Sequence, residues 1–361
     1  MVQLPAGLKV PRSPSSPAGA YLRLEHLPAA TAATGTRAKD TMSDLPFEPR
    51  TGQQHDIAAG DYLATVTELG AGLRRLSYRG QPVISGYEAD HVPPAGSGEL
   101  LIPWPNRVDQ GRYAFGGSTH QLDLSEPANG NAIHGLTRWA NWSAAGHAAH
   151  RVDLTHTLHA QPGYPFCLEL TAAYELSADG LEVTVTARNA GSAAAPYGTG
   201  SHPYLLAGPG PVDGWELELP AAAWLETDAR GIPAAPPADV AGTPFDFRAP
   251  RAIGGARMDH AFTGLSRDAA GRAWARLTGP SGGAGGAGGA GLELRFWAGE
   301  GYRWLQAFTG DTLGPDRARR ALAIEPMTCP PNAFATGTDL LTLAPGETVT
   351  TSWGLQASPA R

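Results

Sequence analysis

The sequence predicts an all-β protein, a large antiparallel sandwich or barrel with few helices. Three observations carry that prediction. Short segments alternate apolar and polar residues, which puts one face on a core and the other toward water. Gly and Pro, 46 and 32 of 361 residues, are frequent enough to punctuate many turns. No long segment repeats every 3.6 residues between helix caps.

The expected strands follow in chain order. Residues 63–69 are short, rich in β-branched side chains and bounded by Gly60 and Gly70. Residues 152–158 alternate, and residues 181–187 show the cleanest period of two. Residues 215–219 and 292–297 repeat the pattern. The Gly/Ala run at 282–291 separates two strand-like stretches and reads as an elongated hairpin loop. A phosphate cradle would need a following helix and a lysine, and neither is there.

Residues 1–41 differ from the rest. They are rich in Pro, Ala, Ser and Thr, hold both lysines (Lys9 and Lys39), and are followed at once by Met42. They are expected to be a disordered extension, or an artefact of start-codon choice, ahead of a single catalytic domain over 42–361. After residue 41 every basic position is Arg or His, which removes Schiff-base, phosphate-loop and general-base lysines as mechanisms.

A net charge of −7 without a basic stripe argues against nucleic acid and against an anionic membrane surface. No run has the length of a transmembrane helix, and the start of the chain has no apolar signal-peptide core. Two cysteines, Cys167 and Cys329, cannot build a disulfide framework, so a reducing cytoplasm is expected.

Glu325 is the first candidate for chemistry. It is the sole charge between Arg320 and Asp339, and Pro326 stiffens its backbone. A carboxylate in so apolar a stretch is either paired or has a raised pKa, which suits a general base. Asn106 and Arg107 leave a proline-rich apolar run together as donors for hydroxyls or anions, or to tie down a loop. His134 precedes Gly135, which permits close approach of a ligand or backbone. His202 is held extended by Pro203 and is either a general acid or a hydrogen-bonded loop histidine. Asp259, after Gly254 and Gly255, reads as a turn-forming or capping aspartate.

Other chemistries are not indicated. His147 with His150, and His156 with His159, lie three apart on expected strands, so their side chains point to opposite faces and no metal is expected. No Gly-x-Ser-x-Gly elbow occurs. Trp104, Trp139, Trp297 and Trp304 are candidates for a sugar floor or for core.

Taken together and in order, Asn106-Arg107, His134-Gly135, His202-Pro203-Tyr204, Asp259 and Glu325-Pro326 resemble the aldose 1-epimerase (galactose mutarotase) family. The flanks at 104–107, 325–334 and 336–347 are similar too, and the resemblance spans roughly residues 52–357. It implies a large antiparallel β-sandwich of the galactose mutarotase type. It implies interconversion of the α and β anomers of a free aldohexose with no cofactor and no metal. The implied partner is a monosaccharide, and both a monomer and a homodimer are compatible. By position, Glu325 is implied as general base and His202 as general acid. Asn106, Arg107, His134, Tyr204, Asp259 and Gln306 are implied as substrate-binding residues. Placed close together, Glu325 is expected ionised and His202 protonated, each favouring the other's charge.

The sugar stays open. Glucose, galactose and rarer aldoses, sulfonated ones included, differ by a few loop contacts. The proline-rich connection at 232–250 could set such contacts. A non-catalytic sugar sensor on the same fold, a hexose-phosphate epimerase and a glycoside-active sandwich, for which Asp259 with Glu325 is only one possible carboxylate pair, are the alternatives.

Overall fold

A computed structural model of the chain describes residues 49–280 and 291–360. The expectations for residues 1–41, and for all of the Gly/Ala loop but Gly291, lie outside the described residues. Residues Glu48–Arg361 form one compact unit.

Two antiparallel sheets dominate. The nine-stranded sheet runs Ser143–Ala148, Arg151–Leu158, Leu168–Ser177, Gly180–Asn189, Thr348–Pro359, Leu292–Ala298, Ala273–Thr278, Glu216–Glu218 and Arg251–Ala252. The eight-stranded sheet runs Ala238–Asp239, Ala221–Trp224, Asp259–Leu265, Trp304–Phe308, Leu322–Met327, Gly200–Ser201 and Leu100–Leu101, with Tyr204–Leu205 also paired to Leu322–Met327. Among the described residues the one α-helix is Ala333–Thr336. The expected all-β class is therefore the observed one. No helix among them is long and apolar enough to cross a membrane.

Alternation explains the packing. In Gly180–Asn189, Leu181, Val183, Val185 and Ala187 are buried, while Glu182 and Arg188 face solvent. Each Val or Leu so buried stabilises the fold by about 1.5–3 kcal/mol. Trp353 crosses between the sheets: its indole N–H donates to Ser201 Oγ at 2.9 Å, which satisfies a polar atom deep in the core. The strand expected at 63–69 is observed as Tyr62–Thr67, because Leu69 leaves the ladder to bridge Asn141. The strands flanking the Gly/Ala run, Ala273–Thr278 and Leu292–Ala298, pair antiparallel as a hairpin would. Asp259 corrects the turn reading. It opens the strand Asp259–Leu265 opposite Phe308, the glycine turn at 254–255 having ended earlier.

One strand shows how the sheet builds a site. In Leu322–Met327 every residue is buried. Leu322 and Ile324 join the main core. Ala323 and Met327 pack in two small clusters apart from it, and Glu325 shares their parity and so their face. The neighbouring strand repeats this: Leu305 and Ala307 enter the core, whereas Gln306 lies opposite Glu325 on the far face. On that far face Glu325 and Gln306 are buried, whereas Asp259 at its edge is exposed.

Candidate active site

Three strands place the acidic side of the site. Gln306 lies opposite Glu325 on one side and Ala261 on the other, so Asp259 sits one diagonal step away. The Gln306 amide donates to Asp259 Oδ1 at 2.7 Å. Gln306 Oε1 and Glu325 Oε2 are buried and have no protein partner among the described residues. Buried polar atoms are normally satisfied, so such atoms at one spot are where a ligand's hydroxyls would bind.

The segment around His202 is a strand interrupted on purpose. Gly200 pairs with Met327 and Tyr204 with Ala323, but His202 and Pro203 between them leave the ladder. The His202 N–H donates instead to the Glu99 carbonyl at 3.0 Å, and the Gly98 N–H donates to the His202 carbonyl at 2.9 Å. This brings His202 Nε2 to 3.4 Å from Glu325 Oε1. The imidazole stacks on Tyr204 with centroids 4.7 Å apart. The Tyr204 hydroxyl donates to the Ala95 carbonyl at 3.0 Å, so its ring rather than its oxygen shapes the site. Gly96, at φ +75°, lies against the imidazole, where a Cβ would meet Cδ2 at 3.0 Å.

The basic side comes from a two-stranded ladder, Arg107–Asp109 with Asn131–Ile133. Asn106 and His134 both take left-handed backbone, with φ of 55° and 62°, which is how two side chains next to a ladder turn into one cavity. They fasten each other. The His134 N–H donates to the Asn106 carbonyl at 2.9 Å, and the Asn106 N–H donates to His134 Nδ1 at 3.2 Å. With Nδ1 accepting, the proton of a neutral His134 must be on Nε2. Burial, followed by the nearby His202, Arg138 and Arg107, holds His134 well below its ordinary pKa and so neutral.

Arg107 is gripped by a carboxylate that sequence reasoning passed over. Its Nε and Nη2 donate to the two oxygens of Glu126 at 2.9 and 3.0 Å, the bidentate geometry that the planar fork allows. Its Nη1 stands 3.9 Å from Asp259 Oδ2. Glu126 also accepts from the Asn131 amide at 3.0 Å. Gly231, at φ +75°, backs the guanidinium, and a Cβ there would come within 2.5 Å of Nη1.

These groups line one cavity of about 350 Å³, together with Ser125, Arg138, Phe308, Thr312 and Leu313. That volume falls in the range of small-molecule sites. A larger cleft of about 890 Å³ opens elsewhere, along Arg75, Tyr87 and Arg317. It contains none of the predicted residues. Of the eight, seven border the smaller cavity, and Gln306 reaches it through Asp259.

The expected charge state of the central pair needs correction. Burial, reinforced by Asp259, holds the Glu325 carboxyl well above its ordinary range against the pull of Arg107. Burial, with the positive Arg138 nearby, takes the His202 imidazole down to about 3. At 3.4 Å the two are beyond a strong hydrogen bond, so mutual attraction does not offset desolvation. A proton shared by the pair is therefore favoured on the carboxyl. Sequence reasoning also missed Glu126, Arg138 and Glu99. Arg138 stands three residues past Gly135.

Among the described residues, no group of three or more His, Cys, Asp or Glu side chains could hold a metal ion. His147 and His156 face the carbonyls of Asp56 and Asn141 instead. Trp104, Trp297 and Trp304 are buried core; Trp139 is exposed.

Residues 53–356 match the family model "Aldose 1-epimerase". The uncharacterized protein YihR of Escherichia coli (strain K12) is 36% identical over 298 residues, covering 82% of this chain and 90% of that protein. Galactose mutarotase of Rattus norvegicus is 32% identical over 160 residues, 41% of this chain and 44% of that protein. Among solved structures, the GalM/aldose epimerase homologue from C. elegans superposes with a TM-score of 0.75 at 19% identity, covering 86% of this chain and 99% of that one.

Proposed function

The chain belongs to the aldose 1-epimerase family, an isomerase family acting on carbohydrates, and from that premise we propose that it interconverts the α and β anomers of a free aldohexose. The observation that carries this reading is the buried pair His202–Glu325, 3.4 Å apart, between the donors Arg107 and His134 and the acceptor Asp259. Mutarotation needs one base and one acid about the C1–O5 bond, and nothing more.

The steps balance as follows. When sugar fills the cavity, its hydroxyls and the Arg107 donors solvate the Glu325 carboxylate, and the resting proton crosses to His202. Glu325 then removes the proton of the C1 hydroxyl while His202 protonates the ring oxygen. The C1–O5 bond breaks and C1 becomes an aldehyde. Rotation about C1–C2 presents its other face. Glu325 returns its proton to the carbonyl oxygen as O5 attacks C1 and gives its own back to His202. Each positioned proton transfer contributes about 10²–10⁴-fold. Arg107 Nη1, the His134 Nε2–H and the Asn106 amide donate to sugar hydroxyls, and Asp259 accepts from them, which holds the ring in a reactive orientation. Tyr204 offers a flat apolar edge, and Gln306 orients Asp259.

Polarimetry of freshly dissolved α-anomers tests the reading across a panel of aldohexoses. Catalysed decay of rotation with at least one sugar is expected. Tight sugar binding with decay at the buffer rate throughout the panel would instead make the protein a sugar sensor.

A further inference from the structure

The mechanism leaves one buried ion pair unused. Glu99 is 1% exposed, and its Oε2 accepts from Arg138 Nε. Its other oxygen, Oε1, is buried without a protein partner among the described residues. Burial outweighs the pull of Arg138 and lifts its carboxyl to about 7. For stability alone, an apolar pair of similar size would serve at least as well.

Position explains what the pair accomplishes. Through its backbone, the segment from Gly96 to Glu99 clamps His202 at both its N–H and its carbonyl. Gly96 lies against the imidazole edge. Through its side chain, the same Glu99 holds Arg138 at the wall of the cavity that His202 faces. One short segment thus fixes both the histidine and a positive charge beside it. The other groups facing His202 are Glu325 at 3.4 Å, the His134 ring at 5.3 Å and the Tyr204 ring at 4.7 Å. Arg317 lies over Tyr204 at 5.9 Å, and Arg107 with Asp259 lines the cavity across from it. Of the cations lining the cavity, Arg138 is the one whose charge bears on the imidazole.

We infer that Arg138, anchored by Glu99, is a positioning residue for His202, setting how readily the acid–base pair gives up its proton to the sugar's ring oxygen. A ring oxygen is a very weak base. An imidazolium beside a guanidinium releases its proton more easily than one beside a neutral side chain. The inference rests on the proposed role of His202 in anomer exchange.

The experiment reads the pair's proton in two ways. One is the alkaline limb of kcat/KM, where the shared proton is lost. The other is the ¹⁵N shift of the His202 ring over the same range, where loss of the proton from Glu325, 3.4 Å away, perturbs the neutral imidazole, a readout that needs no turnover. Arg138→Gln is expected to move both midpoints up by about one pH unit, a tenfold change in proton affinity, and to lower kcat more than it raises KM. Arg138→Lys keeps the charge and is expected to restore the midpoint. Glu99→Gln removes the opposing charge and is expected to move it down. Midpoints unmoved in Arg138→Gln, or moved the same way by Arg138→Gln and Glu99→Gln, would overturn the inference, whatever happens to the melting temperature. Wild-type protein that exchanges no sugar would overturn the proposed function instead, while the ¹⁵N midpoints still decide the role of Arg138.

Discussion

Glu126 and Glu325 line the same cavity, yet their carboxyl groups are held in opposite states. Burial pushes both upward. At Glu126 the fork of Arg107 and the Asn131 amide together outweigh it and hold the carboxylate below its ordinary value. At Glu325 the charge of Arg107, which makes no hydrogen bond to this carboxyl, does not, and the carboxyl stays well above. The difference lies in hydrogen bonds. Glu126 accepts three, whereas Glu325 Oε2 has no protein partner among the described residues. A fully satisfied carboxylate is a strut that fixes Arg107. An unsatisfied one is poised to exchange a proton with whatever enters.

The largest expected effect comes from breaking the unsatisfied member. Glu325→Gln keeps the shape and removes the base, so exchange should fall by roughly 10²–10⁴-fold with sugar affinity little changed, as read by saturation kinetics and calorimetry. His202→Asn should cost about 10²-fold in kcat.

His202→Asn also changes stability with pH. The folded pKa of His202, about 3, lies below its ordinary 6.5. Its contribution is therefore complete above pH 6.5 and is lost as pH falls toward 3, with a slope of up to about 1.4 kcal/mol per unit. Glu99 runs the other way. Its contribution is complete below pH 4.5 and is lost as pH rises to about 7. The windows overlap with opposite slopes, so only the difference between variant and wild-type denaturation curves separates them. The His202→Asn difference curve should flatten above pH 6.5.

The satisfied member gives a smaller and different signature. Glu126→Gln leaves Arg107 short of its partner. It should destabilise the protein by about 1–3 kcal/mol and raise KM about tenfold, with kcat nearly intact. An equal loss in kcat would place Glu126 in the chemistry rather than behind it.

The smallest effect tests the two faces of one strand. Ile324 is next to Glu325 but points into the core. Ile324→Val should cost about 0.5–1.5 kcal/mol in unfolding free energy and leave kcat and KM unchanged. A change in kcat would mean the faces are coupled through the strand.

The same contrast explains what could be seen in the sequence. Glu325 was legible because it is an isolated charge in an apolar strand, and the period-two pattern then settles its face. His202 was legible through the proline that follows it. Asn106, Arg107 and His134 were legible as rigid polar breaks in apolar runs, although their left-handed backbone was not. Glu126 was invisible. It lies in a stretch, Ser125-Glu126-Pro127, that looks like any turn, and its partner Arg107 is 19 residues away. Glu99 and Arg138 are 39 residues apart and meet only after folding. Asp259 looked like a turn residue because the glycines before it are a turn; the ladder that captures it is made with residues near 308. The charge states of Glu325 and His202 were misjudged because they depend on the depth of burial. Proximity alone predicts an ion pair, and desolvation reverses it.

The central claim is that Glu325 and His202 move protons at an anomeric centre. Exchange NMR at equilibrium tests it most directly, with α- and β-D-glucose and α- and β-D-galactose in separate tubes and wild-type protein beside Glu325→Gln. Cross-peaks between the anomers should appear with wild-type protein for at least one sugar and fall to the buffer level with the variant. Equal cross-peak intensities for wild-type and variant, on a sugar that both bind, would contradict the account.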